Sequence, residues 1–249
     1  MRPIGFSTGA VAYSDFQRAL ELLAGEPVSC VELSALRLHE VTPLLHAIKT
    51  LDLRRYKYVS FHAPSKFTAE EESTLVEQLK CVPREWPIVL HPDMIYSSDV
   101  WRRFGPQLAI ENMDMRKPWG RTVEELTGTF EELPDATLCF DIGHARQCDT
   151  SMTEAYKILK KFGNRMKQVH VSEVNTSSQH DPISYAAKIA FHEVAHLIPS
   201  NIPVIIESRV TQPEISREIY RVAEALPEYE GLSVAGGRHR HPEIREVTR

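Results

Sequence analysis

The sequence lacks most of the devices that would set it apart from ordinary globular enzymes. Its 249 residues include only four cysteines, Cys30, Cys81, Cys139 and Cys148, and none forms a Cys-x-x-Cys pair. That excludes a disulfide framework and suits reduced, mostly buried thiols in a cytoplasmic protein. No apolar run approaches the roughly 20 residues needed to span a bilayer, so no membrane partner is expected. The run from Met1 to Ser7 lacks the apolar core of a signal peptide and reads as a first strand. Basic excess is missing too: 29 Lys and Arg stand against 34 Asp and Glu, a net charge of −5. That argues against a dedicated nucleic-acid binder, which usually carries surplus positive charge. Nor is there a phosphate-binding glycine loop: Gly5-Phe6-Ser7-Thr8-Gly9-Ala10 does not fit Gly-x-Gly-x-x-Gly, and no P-loop occurs.

What is present is alternation. Short apolar runs recur at Pro3–Ser7, Ser29–Leu33, Tyr58–His62, Ile88–His91, Leu108–Glu111, Thr137–Asp141, Gln168–Val171 and Val204–Glu207. Amphipathic stretches lie between most of them. Ser14, Thr68, Thr122, Ser151, Ser184 and Thr211 are placed to cap helices, and Thr68 with Glu71 and Ser151 with Glu154 have capping-box spacing. Pro27, Pro87, Pro134 and Pro203 fall just before strands, where a helix cannot continue. Eight βα units in this length predict the α/β class and a single (β/α)8 TIM barrel over residues 1–235. Residues 236–249 are polar and aperiodic and read as a C-terminal tail.

In such a barrel the C-terminal ends of the strands converge on one mouth. Here those ends carry His62, His91, Glu111, Asp141 with His144, His170 and Glu207. Six successive strands thus each deliver an ionisable group directly after an apolar run. Burying so many charges without compensation is costly, and a divalent cation relieves the cost. Imidazole and carboxylate ligands suit Zn, Mn, Fe or Co, and the carboxylates also suit Mg. The candidate ligands are Glu111, Asp141, His170, Glu207, His62, His91 and His144, for one or two ions per chain.

The set Ser60-Phe61-His62-Ala63-Pro64, Ile110-Glu111-Asn112, Phe140-Asp141-Ile142-Gly143-His144-Ala145 and Pro203-Val204-Ile205-Ile206-Glu207-Ser208 resembles the xylose isomerase-like TIM-barrel superfamily. That superfamily includes sugar isomerases, ketose 3-epimerases, inosose-processing enzymes and apurinic-site nucleases of the endonuclease IV type. The resemblance runs from about Ile4 to Ala225. In the isomerase and epimerase branch it implies one metal held by Glu111, Asp141, His170 and Glu207. In the nuclease branch it implies further metals on His62, His91 and His144. That branch also uses an Asp-x-His after strand 7, which Gln179-His180-Asp181 does not match. True xylose isomerases place a Lys two residues after the strand-5 Glu, where this chain has Met113. Proton transfer is therefore favoured over hydride shift.

These features predict a metal-dependent sugar or polyol isomerase or epimerase with Glu111 and Glu207 as the proton-transferring pair and His144 as a donor to substrate. Its partner would be a small molecule of carbohydrate metabolism. Glu32, Arg146, Arg209 and His180 are candidate substrate contacts, and Glu32 is equally suited to a structural hydrogen bond. The alternative is a metal-dependent phosphodiester hydrolase of the endonuclease IV type, with nucleic acid as partner. The nearest basic-aromatic clusters, Arg54-Arg55-Tyr56-Lys57 and Trp101-Arg102-Arg103, read as solvated faces. A third reading is a binding module with a structural metal. The oligomeric state is open.

Overall fold

Continuous apolar runs such as Val204-Ile205-Ile206 form parallel strands because such strands are buried on both faces. The computed structural model describes residues 2–228. Its strands are β1 (Ile4–Ser7), β2 (Cys30–Ser34), β3 (Tyr58–His62), β4 (Ile88–Leu90), β5 (Leu108–Glu111), β6 (Thr137–Asp141), β7 (Met166–Val171), β8 (Glu173–Val174), β9 (His180–Asp181) and β10 (Val204–Ile206). Eight of them close a parallel barrel in the order β1-β2-β3-β4-β5-β6-β7-β10, with β10 pairing back on β1. Helices fill the connections, giving the single (β/α)8 barrel that the alternation predicts. β8 and β9 form a separate antiparallel pair in the connection after β7.

The two-residue period of the strands sorts side chains into two environments. Outward-facing residues such as Phe6, Phe61, Ile110, Phe140 and Val169 pack with helix residues such as Leu79 and Phe191 in one large apolar cluster. Inside the barrel a small separate cluster remains, Val89, Ala109 and Cys139. The remaining inner positions of β2, β3 and β7 are polar. Tyr58 Oη donates to Gln168 Oε1 at 2.7 Å, and Gln168 Nε2 and Ser60 Oγ donate to Glu32 Oε2 at 2.7 and 3.0 Å. Gly5 lets β1 and β2 approach closely: a Cβ there would sit 1.8 Å from the Cys30 carbonyl oxygen.

Local signals set the helix starts. Thr122 Oγ1 and Ser184 Oγ accept the Glu125 and Ala187 amides at 3.2 Å, and Thr68 with Glu71 forms a capping box. Two expected caps move. Asp15, not Ser14, caps Phe16–Leu23, because Ser14 follows Tyr13 into a left-handed turn with φ of 72° and 53°. Ser151 does not cap Thr153–Phe162 either; Met152 occupies the cap with φ 59°, and Asp149 Oδ2 accepts the Glu154 amide at 2.9 Å. Thr211 caps a short 3-10 turn that runs into the helix Ile215–Ala225. Helices that the sequence reading does not predict include the short Thr8–Ala12, Leu38–Ile48, which contains Pro43, and Ile142–Cys148.

Cys30 and Cys139 are buried as expected, whereas Cys81 is exposed and Cys148 half-buried. The last barrel helix ends at Ala225; the boundary at 235 and the tail 236–249 lie outside the described residues. Among the described residues no helix is long and apolar enough to cross a membrane.

Candidate functional site

The last inward position of each strand falls at the barrel mouth, and Glu111 at the end of β5 stands at its centre. Its Oε2 lies 3.3 Å from His62 Nε2 and 3.2 Å from His91 Nε2. Its Oε1 lies 2.9 Å from His170 Nδ1 and 3.7 Å from His144 Nδ1. Glu207 Oε2 is 3.5 Å from both His170 Nδ1 and His180 Nδ1. Among the described residues, candidate ligand atoms within 4.8 Å of one another occur in four overlapping groups. Three of them are Glu111-Asp141-His170-Glu207, His62-His91-Glu111 and Asp141-His144-His180. Every candidate ligand read from the sequence therefore joins one cluster, and His180, expected at substrate, joins it as well.

Local structure aims these groups. Asp141 caps the helix Ile142–Cys148, its Oδ1 accepting the His144 amide at 2.7 Å, which turns His144 back toward the mouth. Gly143 permits that turn, since a Cβ there would lie 2.4 Å from the Ser172 carbonyl oxygen. Asn112 clamps β5 to β6, donating to the Asp141 carbonyl at 2.7 Å and accepting its amide at 2.8 Å.

A metal-bound histidine usually donates its other ring N–H to a carbonyl or carboxylate. Two rings have that partner. His62 Nδ1 donates to the Ala63 carbonyl at 2.7 Å, and His144 Nδ1 to the Asn112 carbonyl at 3.0 Å. His170 Nε2 lies between the Gln168 amide nitrogen at 2.8 Å and Glu32 Oε2 at 3.1 Å, with Nδ1 facing Glu111 at 2.9 Å. His91 differs. Its Nδ1 lies 3.3 Å from Lys117 Nζ, which also binds Asp93 at 2.9 Å. An ammonium only donates, so Nδ1 accepts and Nε2 carries the proton toward Glu111.

Burial opposes charge throughout the cluster. It pushes the Glu207 carboxyl up to about 7 and Asp141 up to about 6, with Glu111 adding repulsion to both. Burial alone would also raise Glu111, but His170, His62 and His91 hold it well below the usual carboxylate range. His62 is raised to about 9, because its Glu111 hydrogen bond and the Glu32 charge outweigh burial. His180 falls to about 3 through burial and the adjacent His144. Asp141 Oδ2 is buried without a hydrogen bond. Carboxylate oxygens raised by burial, one of them orphaned, among rings whose outer nitrogens are already satisfied, fit a divalent cation.

Above the cluster is a cavity of about 310 Å³. His62, His91, Glu111, His144, His180 and Glu207 reach it, as does Arg209. Two expected substrate contacts do not. Glu32 is fully buried beneath His170, held by Ser60, Gln168 and that ring. Arg146 is committed to Glu173 at 3.1 Å. Conversely, Asp114, Arg116, Lys117 and Gln179 line the cavity without having been singled out. For Arg116 and Lys117 the available signal was two adjacent cations shortly after the strand-5 Glu.

No protein-family model matches this chain, and no curated protein does. Solved structures do. One is a protein from Anabaena variabilis provisionally described as a sugar phosphate isomerase/epimerase, with TM-score 0.54 at 13% identity over 88% of each chain. Another is a 3-keto-D-glucoside 4-epimerase from E. coli, with TM-score 0.51 at 14% identity over 90% of this chain and 99% of that one. A protein from Pseudomonas aeruginosa provisionally described as an aldo-keto reductase reaches 0.51 at 15% identity over 90% of each chain. Likeness at this identity establishes a common fold, the barrel that the resemblance to the xylose isomerase-like superfamily implies.

Proposed function

We propose that this protein is a divalent-metal-dependent isomerase or epimerase acting on a small sugar or polyol by proton transfer. The observation that carries it is the convergence of Glu111 and Glu207, from opposite arms of the barrel, within 3.5 Å of the same His170 nitrogen at the floor of a small cavity. Glu111, Asp141, His170 and Glu207 would hold the ion, which supplies polarisation of a substrate carbonyl and so acidifies the neighbouring C–H bond. Glu111 and Glu207 face the reacting carbon from two sides, so one carboxylate removes the proton and the other returns it. His144 and His180 stand within reach of the cavity to bind substrate hydroxyls. A volume of about 310 Å³ lies at the small end for ligand sites and suits a monosaccharide. The two epimerase-type structural neighbours support the same kind of chemistry.

The hydrolase reading is favoured by one observation: His62 and His91 on Glu111, and Asp141, His144 and His180 together, offer more ligand groups than a single ion needs. Against it, the His91 ring presents an N–H rather than a lone pair to Glu111. The basic clusters are also committed within the chain, Arg54 to Asp52, Arg55 to the Leu23 and Glu26 carbonyls, Arg103 to Glu77. The deciding experiment is solvent deuterium exchange into a panel of ketoses by metal-loaded protein. The expected result is incorporation beside the carbonyl, slowed at least about 100-fold in Glu207→Gln. Cleavage of an abasic-site duplex without any exchange would replace this reading with the hydrolase.

A further inference from the structure

We propose that the cavity rim is an anion subsite centred on Arg209, so that the substrate is a sugar bearing a terminal oxyanion, phosphate or carboxylate, rather than a neutral sugar. The cavity is bipolar. Its floor is the carboxylate and imidazole cluster, while Arg116, Lys117 and Arg209 stand among its other lining residues. Two of those cations are already neutralised, Lys117 by Asp93 at 2.9 Å and Arg116 by Asp114 at 3.2 Å. Arg209 is not. Its guanidinium donates to the neutral Gln179 Oε1 at 2.5 Å and lies 5.7 Å from the centroid of the Tyr13 ring. A guanidinium held by an amide oxygen and an aromatic face keeps further N–H donors for a planar or tetrahedral oxyanion, the ligand its fork geometry matches.

The parts that hold Arg209 are themselves held in unusual backbone. Tyr13 and Ser14 are successive non-glycine residues in the left-handed region, and Ser178, just before Gln179, has φ 51°. Such conformations are disfavoured for residues with a Cβ and persist where the surroundings fix them, often at ligand clamps. The surroundings here do fix Ser178: its Oγ donates to Asp114 Oδ1 at 2.7 Å and accepts Gln147 Nε2 at 2.9 Å, and its carbonyl accepts Arg116 Nη2 at 3.2 Å. Arg116 and Arg209 are thus anchored on adjacent residues of one rigid turn, Ser178 and Gln179. Tyr13, 70% exposed, comes from the connection after the neighbouring strand β1 to meet Arg209. A substrate whose vicinal oxygens sit at the floor would present its far end to this turn.

The inference rests on the sugar-processing reading only for the carbon skeleton of the ligand. Its test is therefore binding, not turnover. Calorimetry would compare D-ribulose with D-ribulose 5-phosphate, and D-fructose with D-fructuronate, on the wild-type protein and on Arg209→Met, with inorganic phosphate as competitor. The expected result is at least tenfold tighter binding of one anionic sugar than of its neutral counterpart, with the ratio collapsing below threefold in Arg209→Met. Whichever anion gains more identifies the group. An anionic-to-neutral ratio near one in the wild type, or a ratio that survives in Arg209→Met, overturns the subsite. If discrimination holds while no deuterium exchange is found, the reaction assignment fails and the subsite stands.

Discussion

The two faces of the barrel strands solve opposite problems. The outer face meets the helices through Phe6, Phe61, Phe140, Leu79, Phe191 and their neighbours, a continuous apolar layer. The inner face has few large apolar groups: Val89, Ala109 and Cys139 cluster alone, and Glu32, Ser60, Gln168 and His170 form a buried hydrogen-bonded ladder beneath the mouth. TIM-barrel interiors are usually filled by branched apolar side chains. Here stability resides mainly outside the strands, and the inside is given over to orienting charged groups that would otherwise be costly to bury.

Truncating the outer layer should have the largest effect. Phe191 is fully buried on the helix Tyr185–Ala195, and Phe191→Ala should cost about 3–5 kcal/mol in urea unfolding. Metal uptake per folded molecule should stay unchanged; a loss of uptake would mean that the two faces are not separable.

The inner face should reveal itself through pH. Glu207 moves from an ordinary 4.5 to about 7, and His62 from 6.5 to about 9. Each binds its proton more tightly folded than unfolded, so the stability it contributes is full below the ordinary value and is lost as pH rises through the folded one. Glu111 and His180 are shifted downward and act below pH 6.5. Metal-free protein should therefore lose stability first through Glu207 between pH 4.5 and 7 and then, on the order of 2 kcal/mol, through His62 between pH 6.5 and 9. Added Zn or Mn should oppose that loss, because metals take deprotonated ligands. Urea midpoints at the two ends of the His62 range, with chelator and with metal, measure it; a metal-free midpoint that climbs toward pH 9 would contradict it.

The subtlest probe is Glu32→Gln, which keeps the shape of the ladder but weakens the acceptor behind His170. Metal affinity, read by competition with a chelating dye, should fall roughly 10- to 100-fold. The unfolding midpoint of the metal-free protein should fall, since His170 holds the Glu32 carboxyl below its ordinary range and the substitution leaves that buried ring without its charged partner. Unchanged affinity would show that the ladder does not orient the ring.

Much of this was legible in the residue order. An apolar run ending in His62 or Glu111 states both the strand and the end at which its charge emerges, and eight such units imply closure. What could not be read depends on contacts distant in sequence. Whether Glu32 meets substrate or makes a structural hydrogen bond is not decided by the residue order, because its depth is set by register, β2 against β3 placing it opposite Ser60, and by Gln168 reaching across from β7. Arg146 resembled a rim cation until Glu173, in the strand pair after β7, claimed it. Lys117 and Tyr13 sit in loops whose paths follow from tertiary partners rather than periodicity. The left-handed turn at Tyr13 and Ser14 moved a cap by one residue for the same reason.

The seam at Gly5 has a consequence for the whole mouth. A single methyl there would collide with the Cys30 carbonyl and pry apart the staves that join the start of the chain to its neighbour. The stave it would displace carries Glu32, and the gap would open beside the Ser7–Ser34 hydroxyl contact at 2.8 Å. The alignment of the charged ring at the opening thus depends on a hydrogen at a position where every other amino acid would place carbon.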